Sequence, residues 1–377
     1  MNLAIWGTKS EAVYLAKQIS KNSGYNICFI DNNKVKANLE KYGGGVIYPH
    51  QILDMDKKLD AVIVAVRGTQ SRLDIIRQLR EMKIKRIGVF RFSAHDYNKN
   101  ICMDKQGNSE YIIWLDQIHK PVIPYLETHI MDSCNLNCKG CTHFSNLYEK
   151  ESKVFLKQFK NDIKQLAKKC FVIQLRLLGG EPLLNQECAE YFVNARKAFP
   201  HTDINIVTNG VLIVKQNAQF FQSMRQNQIG FHISKYPPTM KIKDLIEEKC
   251  RKEKVDYFFE RNIITEFARH LSMTGNSDTE ASQSVCISRG CRFLRNGKLY
   301  KCPTEGLIDK FAVEYHYTSV LSESKGFDIY DDTINWEQKL ADYHNLPVAV
   351  CRYCSEKREN FEWKIQNQPQ EADWLTV

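Results

Sequence analysis

Tyr125-Leu-Glu-Thr-His-Ile-Met131-Asp-Ser-Cys134-Asn-Leu-Asn-Cys138-Lys-Gly-Cys141 is the stretch on which the fold turns. Its first half, Tyr125–Met131, reads as a strand, and three cysteines follow at once. Three thiolates so close in sequence cannot close a four-coordinate structural site by themselves. A cubane of four irons held by three cysteines leaves one iron without a protein ligand, free to take a small molecule. Zinc, with His143 as fourth ligand, fits the same spacing. One strand further on, Val172–Leu178 ends in Leu178-Gly179-Gly180-Glu181-Pro182. The two glycines let backbone approach a ligand closely, and Glu181 offers an acceptor to an ammonium group. By itself this segment also reads as a strand-to-helix turn with Pro182 near the helix start.

Working outward, strands at Asp203–Thr208, Gly230–Ser234 and Asp256–Glu260 alternate with helical segments at Val154–Lys169, Glu187–Ala198, Val211–Gln226 and Lys241–Glu253. The first of these helices is apolar at Phe155, Phe159, Ile163 and Leu166. A β-then-α run of this kind makes a barrel or partial barrel, with its active site in the loops at the strands' C-terminal ends. No sixth strand is visible, and from about Ala281 the repeat gives way to a cysteine-bearing hairpin and an irregular tail. Side chains alternate across a strand, and apolar helices cover the outside of such a barrel. The polar parity therefore faces inward: Glu127 and His129, Gln174 and Arg176, Asn205 and Asn209, His232 and Ser234. Glu127, His129 and Arg176 are the catalytic candidates among them.

The chain has 377 residues, of which 43% are hydrophobic and 26% charged, the balance of a soluble protein with a real core in two or three domains. No apolar run approaches the ~20 residues that span a bilayer, and the N-terminus lacks a secretory signal's basic and apolar regions. The expected location is the cytoplasm, with no membrane partner. The net charge of +9 comes with no basic and aromatic stripe, which argues against a nucleic-acid partner. Thirteen cysteines are the excess. In a reducing compartment, clustered cysteines point to metal or catalysis rather than disulfides. Cys28, Cys102, Cys170, Cys188 and Cys250 stand alone and read as packing residues; the other eight form two groups.

The triplet Cys134, Cys138 and Cys141, followed one strand later by Gly179-Gly180-Glu181-Pro182, resembles the radical S-adenosylmethionine (SAM) enzyme family over roughly residues 122–260. The resemblance implies a partial (β/α)6 barrel in which the three cysteines ligate a 4Fe–4S cluster. The open iron would chelate the amino and carboxylate groups of SAM, with Gly179, Gly180 and Glu181 at its ammonium and Pro182 among the cofactor-binding residues. Reductive cleavage would then yield a 5′-deoxyadenosyl radical that abstracts hydrogen from substrate, the electron coming from a flavodoxin- or ferredoxin-type reductant. Where many members have an aromatic residue before the third cysteine, this chain has Gly140, and Phe144 is the substitute for the adenine contact. Asn209 and Ser234 stand where the family contacts the cofactor's sugar and carboxylate.

The second group is Cys286, Cys291, Cys302, Cys351 and Cys354. Asn296-Gly297 is a strong hairpin turn, and counting outward pairs Arg295 with Lys298 and sets Cys291 opposite Cys302. Cross-strand β-carbons ~5 Å apart suit two ligands of one site, and Cys351-Arg-Tyr-Cys354 adds a close pair. This region resembles the SPASM or twitch extension of radical enzymes, implying one auxiliary 4Fe–4S cluster. That pattern favours Cys286 as first ligand and the hairpin favours Cys291, with zinc as the alternative metal.

Residues 1 to about 98 read as βα units of a parallel, Rossmann-like sheet, with 99–121 as a connection, 122–280 as the barrel and 281–377 as the cysteine-rich extension. The loop Gly7-Thr-Lys9 and Asp31 resemble the small domains before sugar acyltransferases that bind nucleotide-sugars, Lys9 meeting a phosphate and Asp31 a ribose or base. The whole reads as an α/β enzyme that oxidises or rearranges a sugar or nucleotide-sugar. A peptide-modifying maturase is the second reading, and a zinc-stabilised interaction protein the third.

Overall fold

Strand β1 (Asn2–Trp6) runs apolar into Gly7 and α1 (Ser10–Ile19), then β2 (Asn26–Ile30), β3 (Val46–Ile47) and β4 (Ala61–Val64), α2 (Thr69–Glu81), β5 (Ile87–Phe90) and β6 (Ile112–Trp114). The computed structural model describes residues 1–21, 24–32, 45–53, 59–66, 68–91, 101, 103–104, 107–109 and 111–377, in two units, Met1–Lys120 and Pro121–Val377. In the first unit the sheet order is β3-β2-β1-β4-β5-β6, so the strand sequence reverses between β1 and β4. All four β4 residues are buried, which their unbroken Ala-Val-Ile-Val run requires of a strand covered on both faces. The expected connection over 99–121 needs correction, because Ile112–Trp114 pairs antiparallel with β5. Three residues with no βα period around them leave no sequence signal. Asp31 accepts a 2.6 Å hydrogen bond from the Thr8 hydroxyl, so its carboxylate is already engaged within the fold. Cys102 lies outside the described residues.

The second unit contains β7 (Val122–Met131), α3 (Leu156–Lys169), β8 (Phe171–Gly179), α4 (Cys188–Ala198), β9 (Asp203–Thr208), α5 (Ala218–Gln226), β10 (Gly230–Ile233), α6 (Pro237–Met240), α7 (Lys243–Lys252) and β11 (Tyr257–Phe259). After these come β12 (Glu266–Leu271), α8 (Thr279–Ser284), β13 (Arg292–Arg295), β14 (Lys298–Tyr300), α9 (Pro303–Glu314), β15 (Phe327–Asp328), α10 (Trp336–Asn345) and β16 (Cys354–Glu362). Its main sheet has the order β11-β10-β9-β8-β7-β13-β14-β15. The strands from β11 to β13 run parallel, giving an open, partial barrel. The sixth parallel strand, missing from the sequence reading, is β13. It is the first arm of the expected hairpin and docks beside β7, Phe293 opposite Glu127. The next strand after β11, β12, leaves the sheet to pair with β16.

The hairpin register is the one the Asn296-Gly297 turn dictates, with Arg295 opposite Lys298 and both turn residues at positive φ. Buried Asp162 on α3 fixes that turn by accepting from the Gly297 N–H at 2.8 Å. On α3, Phe159, Ile163 and Leu166 pack into the core, but Phe155 is 74% exposed. It stands at the extended N-cap, outside the helical period. The tail is more regular than expected. In α9, Pro303 opens the helix and nearly every side is covered, so no amphipathic stripe marks it in the sequence.

The ends of β7 and β8 are locked by main chain. The Gly180 N–H donates to the Met131 carbonyl and the Glu181 N–H to the Ser133 carbonyl, both at 2.9 Å. A Cβ at Gly179 would sit 1.6 Å from the Met131 oxygen, and one at Gly180 would sit 2.2 Å from the Ser133 oxygen. Both glycines are thus demanded by the neighbouring strand as well as by any ligand. Gly180→Ala is expected to lower stability by about 1–3 kcal/mol. Gly45→Ala, where a Cβ meets nothing within 4 Å among the described residues, is expected to change little. Chemical denaturation of the two variants checks this.

Candidate functional site

The cysteine loop is held at three places. At its base Asp132 accepts from both terminal nitrogens, Nη1 and Nη2, of the Arg295 guanidinium, at 2.7 and 3.2 Å, and from the His129 Nδ1–H at 2.8 Å. Burial works against this carboxylate's charge, but those hydrogen bonds prevail and hold it well below the usual range. In the middle, the segment after β16 pairs with the loop: Lys139 N–H donates to the Lys364 carbonyl at 2.9 Å and Gln366 N–H to the Asn137 carbonyl at 3.0 Å. At the end the Trp374 indole donates to the Cys141 carbonyl at 2.8 Å. Gly140 lies under this tail, where a Cβ would come within 2.7 Å of both the Asp373 oxygen and the Phe361 ring.

So held, Cys134, Cys138 and Cys141 line one cavity of about 460 Å³ together with Gly179, Gly180, Asn209 and Ser234. Burial, then the neighbouring Glu181 charge and the Cys141 thiol, push Cys134 up to about 12. Cys138 is raised too, by burial first and then by Cys141. Three thiols lining one cavity, two of them held neutral by burial, are a donor set that a multiply charged metal group satisfies. The apolar cluster of Leu136, Cys138 and Trp363, with Tyr236 and Phe267 packed on it, shields them. The donors fit a 4Fe–4S cluster, with the Gly179–Gly180 main chain and Asn209 beside it. Asn209 donates to Asn135 at 2.7 Å, and its Nδ2 lies 4.0 Å from the Cys134 sulfur.

Three expected roles change. Glu181 is fully buried, and its oxygens accept from the Thr208 hydroxyl (2.6 Å), the Asn209 N–H (2.9 Å) and the Leu183 N–H (3.0 Å). It fastens β8 to β9 and does not line the cavity, and neither does Pro182 behind it. Of the turn, only Gly179 and Gly180 line the cavity. Phe144 is also fully buried, packed on Phe311 and Trp374 in the core of the C-terminal extension. Besides Tyr125 at the floor, the aromatic side chains that do line the cavity are Tyr236 and Phe267, 6.2 Å apart. They come from the end of β10 and from β12, and nothing local in the sequence marks them. His129, with no exposed surface, sits between Asp132 and His143, whose Nδ1 lies 2.8 Å from its Nε2. It positions His143, which lines the cavity in its place and is kept neutral, down to about 3, by burial and then by His129.

Below the cavity the inward side chains form layers. Tyr125, Gln174 and Asp203 face one another across β7, β8 and β9, and one step up Glu127, Arg176 and Asn205 do the same. Those three are 7%, 3% and 1% exposed. Even so, Glu127 Oε2, Arg176 Nε and Nη1, and Asn205 Oδ1 have no hydrogen-bond partner. Burial raises Glu127 to about 7, against the opposing influence of Tyr125, Arg176 and Cys291. His232 stacks on Phe258 and pairs with Glu260 at 2.5 Å, outside the cavity lining.

Cys286, Cys302, Cys351 and Cys354 line a second cavity of about 60 Å³, which shares Thr142, Ile287 and Arg358 with the first. Cys302 caps α9, accepting from Glu305 N–H, while Cys286 follows α8. Arg289, Lys301 and Arg358 surround these four thiols, and among the described residues no carboxylate lines the cavity. Cys291 is not part of that set. The hairpin ladder ends at Phe293 and Tyr300, and beyond it the strands diverge. Cys291 enters a turn and turns its thiol toward Glu127. The expectation from strand pairing extrapolated a ladder that stops two residues short.

The profile of the Radical SAM superfamily matches residues 128–281. The GTP 3′,8-cyclase of Clostridium acetobutylicum is 26% identical over 175 residues, 45% of this chain and 54% of the relative. That of Clostridium perfringens is 32% identical over 98 residues, 24% of this chain and 28% of the relative. The chain thus spans about half or less of the curated relatives it matches. Among solved structures, BtrN in complex with AdoMet and 2-DOIA is 15% identical with a TM-score of 0.37, covering 64% of this chain and 99% of that one. Native anSMEcpe with bound AdoMet is 19% identical with a TM-score of 0.30, covering 37% and 43%. By its cysteine loop, its double-glycine turn and the profile that spans them, the chain carries a radical SAM domain over residues 128–281, a kind of domain whose cofactors are a 4Fe–4S cluster and SAM.

Proposed function

We propose that the protein oxidises or rearranges a polyhydroxylated small molecule, a sugar or nucleotide-sugar, held over the lumen layer of Glu127, Arg176 and Asn205. The unpartnered atoms of that layer carry this reading. They are two donors on Arg176 and two acceptors, one each on Glu127 and Asn205. A carboxylate would satisfy only the donors and an ammonium only the acceptors, whereas each hydroxyl both gives and accepts. Buried polar groups left unpaired are costly, so the layer favours a ligand that supplies both. Cys134, Cys138 and Cys141 are the residues we assign to the first cluster, and Cys286, Cys302, Cys351 and Cys354 to a second. When bound, these groups and SAM supply a hydrogen-abstracting radical and an electron acceptor. Glu127 Oε2 faces the lumen as a base for the substrate hydroxyl proton, which must leave when a hydroxyl-bearing carbon becomes a carbonyl. Tyr236 and Phe267 offer faces on which a base can stack.

Reconstituted anaerobically, the protein is expected to hold about eight irons and eight sulfides per chain, two cubanes. Cys134→Ala or Cys286→Ser should leave about four, and Cys291→Ser should leave the full number; iron loss in the last would restore Cys291 as a ligand.

Glu127 is protonated below about 7 and charged above it, so turnover should rise with pH through that value. Glu127→Gln should abolish this limb of the profile and slow turnover by about 10²-fold or more. Carbon-deuterated sugars should pass deuterium into 5′-deoxyadenosine, followed by mass spectrometry. Transfer from labelled peptides alone would overturn the reading.

A further inference from the structure

The Trp363 indole is 9% exposed, yet its Nε1–H has no hydrogen-bond partner. An indole nitrogen can only donate, and a buried donor without an acceptor is rare enough to call for one. Its surroundings leave little choice. Trp363 packs with Leu136 and Cys138, and its ring lies 5.3 Å from that of Tyr236. Its backbone is fixed on both sides, by Trp363 N–H to the Thr265 carbonyl at 2.9 Å and by the antiparallel bridge between Ile365 and Cys138. The acceptor packed against it is the Cys138 sulfur, with which it makes no hydrogen bond while that sulfur is a thiol. A neutral thiol is a poor acceptor; a cluster-bound thiolate is a good one, and charge-assisted bonds in dry surroundings are the strong ones.

We propose that Trp363 is a positioning residue of the first cluster: its indole N–H hydrogen-bonds the Cys138 thiolate and thereby makes that cluster easier to reduce. The inference rests on the assignment of Cys138 as a ligand. Donors to ligand sulfurs stabilise the more negative, reduced state. The packing also tells the two cysteine groups apart: Trp363 lies against Cys138, whereas Arg289, Lys301 and Arg358 lie around the thiols of the second cavity.

The test is a redox titration of the reconstituted enzyme followed by electron paramagnetic resonance, the first cluster being the one whose signal changes on adding SAM. Trp363→Phe keeps the ring and removes the donor. The expected result is a midpoint potential shifted to more negative values with the iron content retained. Trp336→Phe is the control: that indole is likewise buried without a partner, but it packs on Phe327 instead of a cysteine, and its loss should leave the potential unmoved. An unshifted potential in loaded Trp363→Phe overturns the proposal. Should that variant fail to hold iron, the wild-type enzyme decides. The reduced first cluster should show coupling to an exchangeable proton of a 15N-labelled indole, and its absence overturns the proposal. A wild-type protein whose loop takes no cluster at all overturns the ligand assignment itself.

Discussion

Two main-chain hydrogen bonds, from Gly180 and Glu181 to the carbonyls of Met131 and Ser133, set the geometry on which the site depends. They bring the start of the cysteine loop and the double-glycine turn within backbone contact, closer than any side chain would allow. From there the other parts follow in sequence. Glu181, pinned beneath, fastens the end of β9 through Thr208 and Asn209, and Asn209 reaches back to the loop at Asn135. Three neighbouring strand ends are thus tied to one loop by hydrogen bonds buried from water, where each is expensive to break.

The two cysteine groups lie in different electrostatic surroundings although their cavities share a wall. The first is lined by polar as well as aromatic groups, with Glu127 and Glu266 as its carboxylates and Arg358, on the shared wall, as its cation. The second is ringed by Arg289, Lys301 and Arg358. Lys301 lies close enough to Arg292 for repulsion to add to burial and bring it down to about 8, and the carbonyls of Tyr343 and Leu346 hold it in place. Cations crowded at such cost are compensated by four thiolates more readily than by four thiols.

The sequence made the local parts of this arrangement legible. The strand before the cysteines, the double-glycine turn and the Asn296-Gly297 hairpin each carry their own signal, and strand parity placed Glu127, Arg176 and Asn205 on the inner face. What could not be read was long-range. That β13 would dock on β7, that Phe144 would be claimed by Trp374, and that Tyr236 and Phe267 would supply the cavity's aromatic wall all depend on segments far apart in sequence. Glu181 misled for a related reason. Its chemistry suits an ammonium, but the fold spends all of it on Thr208, Asn209 and Leu183. Cys291 was misplaced because a ladder was extended beyond its last pair.

The clasp on the cysteine loop comes from partners made much later, Trp374 being 233 residues beyond Cys141. On the ribosome the loop therefore emerges, and its barrel begins to form, while its cover does not yet exist. Iron and sulfide have an open door during synthesis and a latched one afterwards.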